Sequence, residues 1–238
     1  MPPEENSPHT ETKVIRTRAR ATTHREQVTP LYMASGFTFD SAEQARATYM
    51  GEQPGYVYTR WDNPNNDELV ARLCALEGAE AGLPMASGMA AIFTVLAGLL
   101  NSGDHVVASR SLFGATHQVL TTVLPRWGIA HSYADCELTE TWPGLFRPET
   151  RLCLVETPSN PGLTLVDLTW AAELCRDRGV VLVVDNTFAT PVVQRPLALG
   201  ADLVVHSTTK FLDGQGRIIG GAIVGDRLLI NELTHFAR

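Results

Sequence analysis

Short, nearly all-apolar runs alternate with helical patterns along most of this chain, and nothing else in the sequence restricts its fold as strongly. From residue 105 onward the apolar runs are "HVVAS", "RLCLVE", "VVLVVD", "DLVVH" and "GGAIVG". Among them lie "ATHQVLTTVLPRW" and "LTWAAELCRDRG", which read as helices. A strand that is apolar on both sides must be covered on both faces. The alternation therefore predicts an α/β fold with a mainly parallel sheet covered by helices. Earlier in the chain, "DELVARLCALEGAE" puts Leu69, Leu73 and Leu76 at helical spacing, with Asp67 as the expected N-cap. "SGMAAIFTVLAGLL" reads as a second, more buried helix. Residues 13–65 carry arginines and aromatics in few regular patterns. They are expected to form an extended arm with a short helix near "SAEQARATYM". Residues 1 to about 12 are polar and Pro-rich and are expected to be disordered.

Composition narrows the function classes. With 44% hydrophobic and 19% charged residues, the 238-residue chain has the make-up of a soluble globular protein. A net charge of -7 argues against a nucleic-acid partner. No apolar run reaches membrane-spanning length and no hydrophobic signal segment opens the chain, so the expected compartment is the cytoplasm. Cys74, Cys136, Cys153 and Cys175 stand far apart with no CxxC pair, which predicts buried reduced thiols and no metal site.

In parallel α/β sheets, ligands bind beyond the carboxyl ends of the strands. Three runs deliver polar groups there: Glu156 to Pro161 after "RLCLV", Asp185 to Thr187 after "VVLVV", and His206 to Lys210 after "DLVV". Taken alone, Asp185 could serve an Asx-turn or a helix cap, and Lys210 could be a surface lysine. Ser207 and Thr209 flank Lys210's strand end at alternate positions; in an extended loop both would point to one side and offer hydroxyls to a phosphate. Ser87, Gly88 and Met89 open an apolar helix. Its unpaired N-terminal amides suit an anion, although an ordinary N-cap with a packing glycine reads as well. A carboxylate, a lysine and a phosphate cradle together suggest pyridoxal phosphate, with Lys210 as the covalent attachment point and Asp185 on the pyridine nitrogen.

Several longer stretches carry a resemblance. "DNTFATPVVQRPLALGADLVVHSTTKFLDGQG", "YVYTRWDNPNNDELVARLCALEGAE", "ASGMAAI" and "ETPSNP" closely resemble, in the same order, the pyridoxal-phosphate-dependent enzymes of cysteine and methionine metabolism. That family includes cystathionine gamma-synthase, cystathionine and methionine gamma-lyases, and the homoserine-ester sulfhydrylases. The resemblance runs from about Val14 onward and implies a fold-type I transferase. It further implies that Lys210 binds the cofactor covalently and then moves protons. Asp185 would pair with the ring nitrogen, Phe113 would stack on the ring, and Asn160 would lie near its phenolic oxygen. Gly88, Met89, Ser207 and Thr209 would hold the phosphate, and Thr187 would support the Asp185 loop. Tyr58 and Arg60 would reach across a dimer interface to a neighbour's phosphate, Tyr58 with a catalytic part as well; this makes a homo-oligomer, a dimer of dimers, the expected state. The implied organisation is an arm over residues 1–65 and a cofactor-binding large domain over 66–238.

"KFLDGQGR" with "SLFGAT" is most similar to the O-succinylhomoserine sulfhydrylase branch. This implies gamma-replacement: sulfide displaces succinate from an activated homoserine to give homocysteine, in methionine biosynthesis. The alternatives are a gamma-lyase or cystathionine gamma-synthase of the same family, or a catalytically silent cofactor-binding or oligomerisation module. The sequence departs from the family pattern at two places. Asn65 stands where a threonine is usual. The chain also ends at Arg238, within the helix-like "DRLLINELTHFAR", where relatives continue into a domain that supplies the arginine gripping the substrate carboxylate. A missing C-terminal part is therefore expected.

Overall fold

The computed structural model describes residues 9–17 and 22–238. The chain divides into two compact units, Met1–Arg72 with Arg238, and Leu73–Ala237.

In the first unit, α1 (Thr10–Arg16) and α2 (Ala42–Tyr49) bury no residue. The expected disorder over 1 to about 12 is corrected in part. Residues 1–8 lie outside the described residues, but Thr10, Glu11 and Thr12 belong to α1. Glu11 in its first turn and Lys13 and Arg16 in its last complement the helix dipole. Ser41 caps α2 by accepting from the Gln44 N–H at 3.1 Å. The helix α3 (Pro64–Glu77), whose residues from Leu73 onward belong to the second unit, starts earlier than expected, so Asp67 is not its cap. Proline at the first position needs no N–H, and Asn63 Oδ1 accepts from the Asn65 N–H at 2.9 Å. Asp67 instead accepts from the Tyr56 hydroxyl at 2.6 Å. Asn65 clips the arm: its Oδ1 accepts from the Tyr32 N–H and its Nδ2 donates to the Pro30 carbonyl, both at 2.8 Å.

The second unit carries the sheet. Its elements are β1 (Ala81–Met85), α4 (Gly88–Leu99), β2 (His105–Ser109), α5 (Gly114–Gln118), β3 (Ala130–Ala134), β4 (Thr150–Glu156), α6 (Leu168–Arg176), β5 (Val181–Asp185), α7 (Thr190–Val193), β6 (Leu203–Ser207), β7 (Gly221–Gly225) and α8 (Arg227–Ala237). The seven strands run in the order β1-β7-β6-β5-β4-β2-β3. Strands β3, β2, β4, β5 and β6 pair in parallel, whereas β7 pairs antiparallel with both β6 and β1. The sheet is thus mainly parallel, with "GGAIVG" as its reversed member.

Side-chain alternation builds two cores from the same strands. Leu152, Leu154, Val183, Leu203 and Val205 join α4 and α8 residues such as Leu96 and Leu233 on one face. Cys153, Val155, Leu182 and Val184 join α6 residues such as Ala171 and Cys175 on the other. The predicted helix over "ATHQVLTTVLPRW" changes pitch. After α5 comes a wide π turn at Val119–Val123, then a 3₁₀ turn at Leu124–Trp127. Pro125 has no N–H to continue the α-helical ladder, which accounts for the tightening. Gly128 ends the run at φ 74°. All four cysteines are free; Cys136, Cys153 and Cys175 are buried. Among the described residues, no helix is long and apolar enough to cross a membrane.

Candidate active site

A cavity of about 290 Å³ opens in the second unit where the carboxyl ends of β4, β5 and β6 meet the start of α4. Alternation explains why these ends deliver polar groups to one place. Glu156, Asp185 and Ser207 share the strand parity of Leu154, Val183 and Val205, so all three point to the α4 face. They line the cavity together with Gly88, Met89, Phe113, Asn160, Thr187, Thr209 and Lys210. Every predicted site residue of the second unit is thereby brought to one cavity. Tyr58 and Arg60 are not among its lining residues. They belong to the first unit, where the Arg60 guanidinium lies over the Tyr58 ring at 5.6 Å and donates to the Arg238 carbonyl.

The helix α4 contributes its first turn. Ser87 caps it by accepting from the Ala90 N–H at 3.0 Å. The first intrahelical bond runs from the Ala91 N–H to the Ser87 carbonyl, so the Gly88 and Met89 N–H groups have no acceptor within the helix. Gly88 cannot carry a side chain, because a Cβ there would stand 2.5 Å from Ser207 Cβ. That close approach brings the helix start against the end of β6. The loop after β6 is not extended as expected. It turns from Thr208, whose N–H donates to the Gly220 carbonyl at 3.0 Å, and the Gly214 N–H closes on the Lys210 carbonyl at 2.9 Å. Ser207 and Thr209 still reach the cavity, Thr208 is buried, and Lys210 is exposed at the cavity.

Thr187 ties two walls together. Its N–H donates to Asp185 Oδ1 at 3.0 Å, and its Oγ1 accepts from the Ser207 N–H at 2.9 Å. Burial raises the Asp185 carboxyl above its ordinary value, while the hydrogen bonds from Thr187 pull the other way. An anion held in that position calls for a cationic or proton-bearing partner in the cavity.

Sequence reasoning missed Glu156 as a site residue, though it stands in the same post-strand position as Asp185 and pairs with it across β4 and β5. Its two oxygens hold two loops. Oε2 accepts from the Phe113 N–H at 2.6 Å and Oε1 from the Asn160 N–H at 3.0 Å. Burial, then repulsion from Asp185, push its carboxyl up to about 7, against the pull of those two N–H groups. Phe188, also unforeseen, lines the cavity and packs on Phe211 with ring centroids 5.8 Å apart.

These groups fit pyridoxal phosphate. Two free helical N–H groups and two hydroxyls suit a phosphate, a half-buried carboxylate suits a protonated ring nitrogen, and an exposed amine stands at the same cavity. The comparisons agree in kind. A family profile described as Cys/Met metabolism PLP-dependent enzyme matches residues 11–238. O-succinylhomoserine sulfhydrylase of Pseudomonas aeruginosa is 42% identical over 228 residues, covering 96% of this chain and 57% of that protein. L-methionine gamma-lyase of Porphyromonas gingivalis is 42% identical over 206 residues, covering 86% of this chain and 52% of the relative. A Campylobacter jejuni protein solved with N'-pyridoxyl-lysine-5'-monophosphate superposes with a TM-score of 0.89 at 32% identity, over 94% of this chain and 56% of that one. The chain spans about half the length of the curated relatives it matches.

Proposed function

The chain belongs to the Cys/Met metabolism family of pyridoxal-phosphate-dependent enzymes, and from that premise we propose that it serves gamma-replacement on an activated homoserine ester. O-succinylhomoserine is the electrophile and sulfide the nucleophile; succinate leaves and homocysteine forms. The meeting of Lys210, Asp185 and the Gly88–Ser207 cradle in one cavity carries this reading. Similarity to the P. aeruginosa sulfhydrylase supports the choice of substrate. We further propose that residues 1–65 act as an arm and 66–238 as the cofactor-binding domain of a cytoplasmic homo-oligomer. Tyr58 and Arg60 would there serve a neighbour's site, since a guanidinium fork suits a phosphate.

Bound in the cavity, pyridoxal phosphate supplies an electron sink for carbanion chemistry at amino-acid carbons. The chain's own residues do the rest. Gly88 and Met89 N–H groups with the Ser207 and Thr209 hydroxyls hold the phosphate. Asp185 keeps a proton on the ring nitrogen, and Thr187 keeps Asp185 in place. Phe113 covers the ring face, and its loop is fixed by Glu156. Lys210 Nζ would hold the cofactor covalently, and as a free amine it would carry protons at the substrate carbons.

Borohydride reduction of the cofactor-loaded chain tests the site. Lys13 and Lys210 are the chain's only lysines, so peptide mass mapping assigns the adduct without ambiguity. The adduct is expected on Lys210 and absent in Lys210→Ala; its absence from the wild-type chain would overturn the reading. The reaction is tested with O-succinylhomoserine and sulfide. Homocysteine and succinate in equal amounts support replacement. Release of 2-oxobutyrate and ammonia without sulfide consumption points instead to elimination, the activity named for the P. gingivalis relative.

A further inference from the structure

Beyond the cavity, the same strand ends carry a buried polar layer that takes no part in the chemistry above. His206 has the opposite parity to Ser207, and its ring turns away from the cavity. His206 Nε2 and Glu77 Oε1, at the end of α3, lie 2.7 Å apart, and neither side chain has any solvent exposure. The same Glu77 oxygen accepts from Asn186 Nδ2 at 3.0 Å. Asn186 Nδ2 also donates to the Gln194 carbonyl at 2.9 Å, and Gln194 Nε2 returns a bond to Asn186 Oδ1 at 2.9 Å. Gln194 Nε2 further donates to the Thr157 carbonyl at 2.8 Å.

Each anchor of this layer is the chain neighbour of a cavity residue: His206 of Ser207, Asn186 of Asp185, Thr157 of Glu156. The layer is an expensive way to hold strands together. Among the described residues, Glu77 Oε2 and His206 Nδ1 are buried without a hydrogen-bond partner. Well-packed apolar side chains would serve stability as well or better. What an apolar layer would not supply is a fixed hydrogen-bonded register for three strand ends.

We propose that Glu77 is a positioning residue for the cofactor site, fixing through His206 and Asn186 the strand ends that present Ser207 and Asp185. The inference rests on the pyridoxal-phosphate reading above. Its test compares the wild-type chain with Glu77→Ala and Glu77→Gln. Three quantities are read: pyridoxal phosphate affinity by titration, the visible absorption of the bound cofactor, and the melting temperature of the cofactor-free chain. Glu77→Ala is expected to weaken cofactor binding about tenfold, the size of one lost buried hydrogen bond, and to shift the absorption. Glu77→Gln, whose amide oxygen accepts both bonds, is expected to restore most of the affinity. Should Glu77→Ala fail to fold, Gln194→Met cuts the layer at its far end and is expected to weaken binding in the same direction. Wild-type affinity and absorption in Glu77→Ala, or in Gln194→Met where Glu77→Ala does not fold, overturn the proposal and leave the cofactor reading standing. A wild-type chain that takes up no cofactor at Lys210 overturns the cofactor reading and this inference with it.

Discussion

The two units of the chain are held together by different interactions. Leu73–Ala237 is built on burial: two apolar clusters sandwich one sheet, and Leu96, Leu154, Leu203 and Ile223 are at most 1% exposed. In Met1–Arg72, among the described residues, Val57 and Pro64 are the buried apolar side chains. Order there rests on polar side chains that bond to backbone: Ser41 at α2, Asn63 at α3, and Asn65 on Pro30 and Tyr32. Burial gives a cooperative scaffold that can place a catalytic cavity to fractions of an ångström. Polar clips give a shape that can be opened locally.

The sharpest way to break this comparison is to cut a side chain of the same class in each unit. Leu154 is 1% exposed in the middle of the sheet, and Leu154→Ala should cost about 2–5 kcal/mol of unfolding free energy in a urea titration. Val57→Ala, at a site 8% exposed in the first unit, should cost about 1 kcal/mol. Equal costs would mean that the first unit is also held by a packed core.

The burial-built unit contains one place where burial works against it. Glu156 is held at about 7 instead of its ordinary 4.5. Between those values the folded chain keeps a proton that the unfolded chain has released. Stability should therefore fall as the pH rises from about 4.5 to about 7 and then level off, by about 1–2 kcal/mol after allowance for screening by water in the cavity. Chemical denaturation of the cofactor-free chain across that range reads the slope, and Glu156→Gln should remove most of it. A variant that retains the full slope would assign it to other groups.

The same contrast explains what could be read in advance. The five apolar runs became β2, β4, β5, β6 and β7 because a doubly covered strand has no choice but to be apolar. The two strands that went unread, "AGLPM" and "AHSYA", are the outermost of the sheet. There Pro84 is tolerated and polar residues such as His131 and Ser132 discourage further pairing. In the site, Asp185, Ser207 and Lys210 were legible because strand ends point to ligands. Glu156 occupied the same kind of position, but a carboxylate beside another carboxylate gives no sequence sign that backbone N–H groups of its own following loop and of a distant one will hold it. Glu77 was less legible still. It closes an ordinary amphipathic helix, and its partners His206 and Asn186 lie more than a hundred residues away. Tyr58 and Arg60 had no physical signal at all and rested on resemblance.

The smallest expected effect lies in the first unit and concerns Asn65, where the sequence departs from the family's usual threonine. A threonine hydroxyl is too short to accept from one arm residue and donate to another as this amide does at Tyr32 and Pro30. Asn65→Ala removes both bonds at a half-buried position, and each is worth about 1 kcal/mol net. If polar clips hold this unit, the loss should stay local. Amide exchange at Tyr32, whose N–H is the bonded donor, should quicken about tenfold, while the urea midpoint of the sheet unit is unchanged. Should the midpoint fall together with the protection at Tyr32, the two units would be unfolding as one, and the arm would share in the cooperativity of the core.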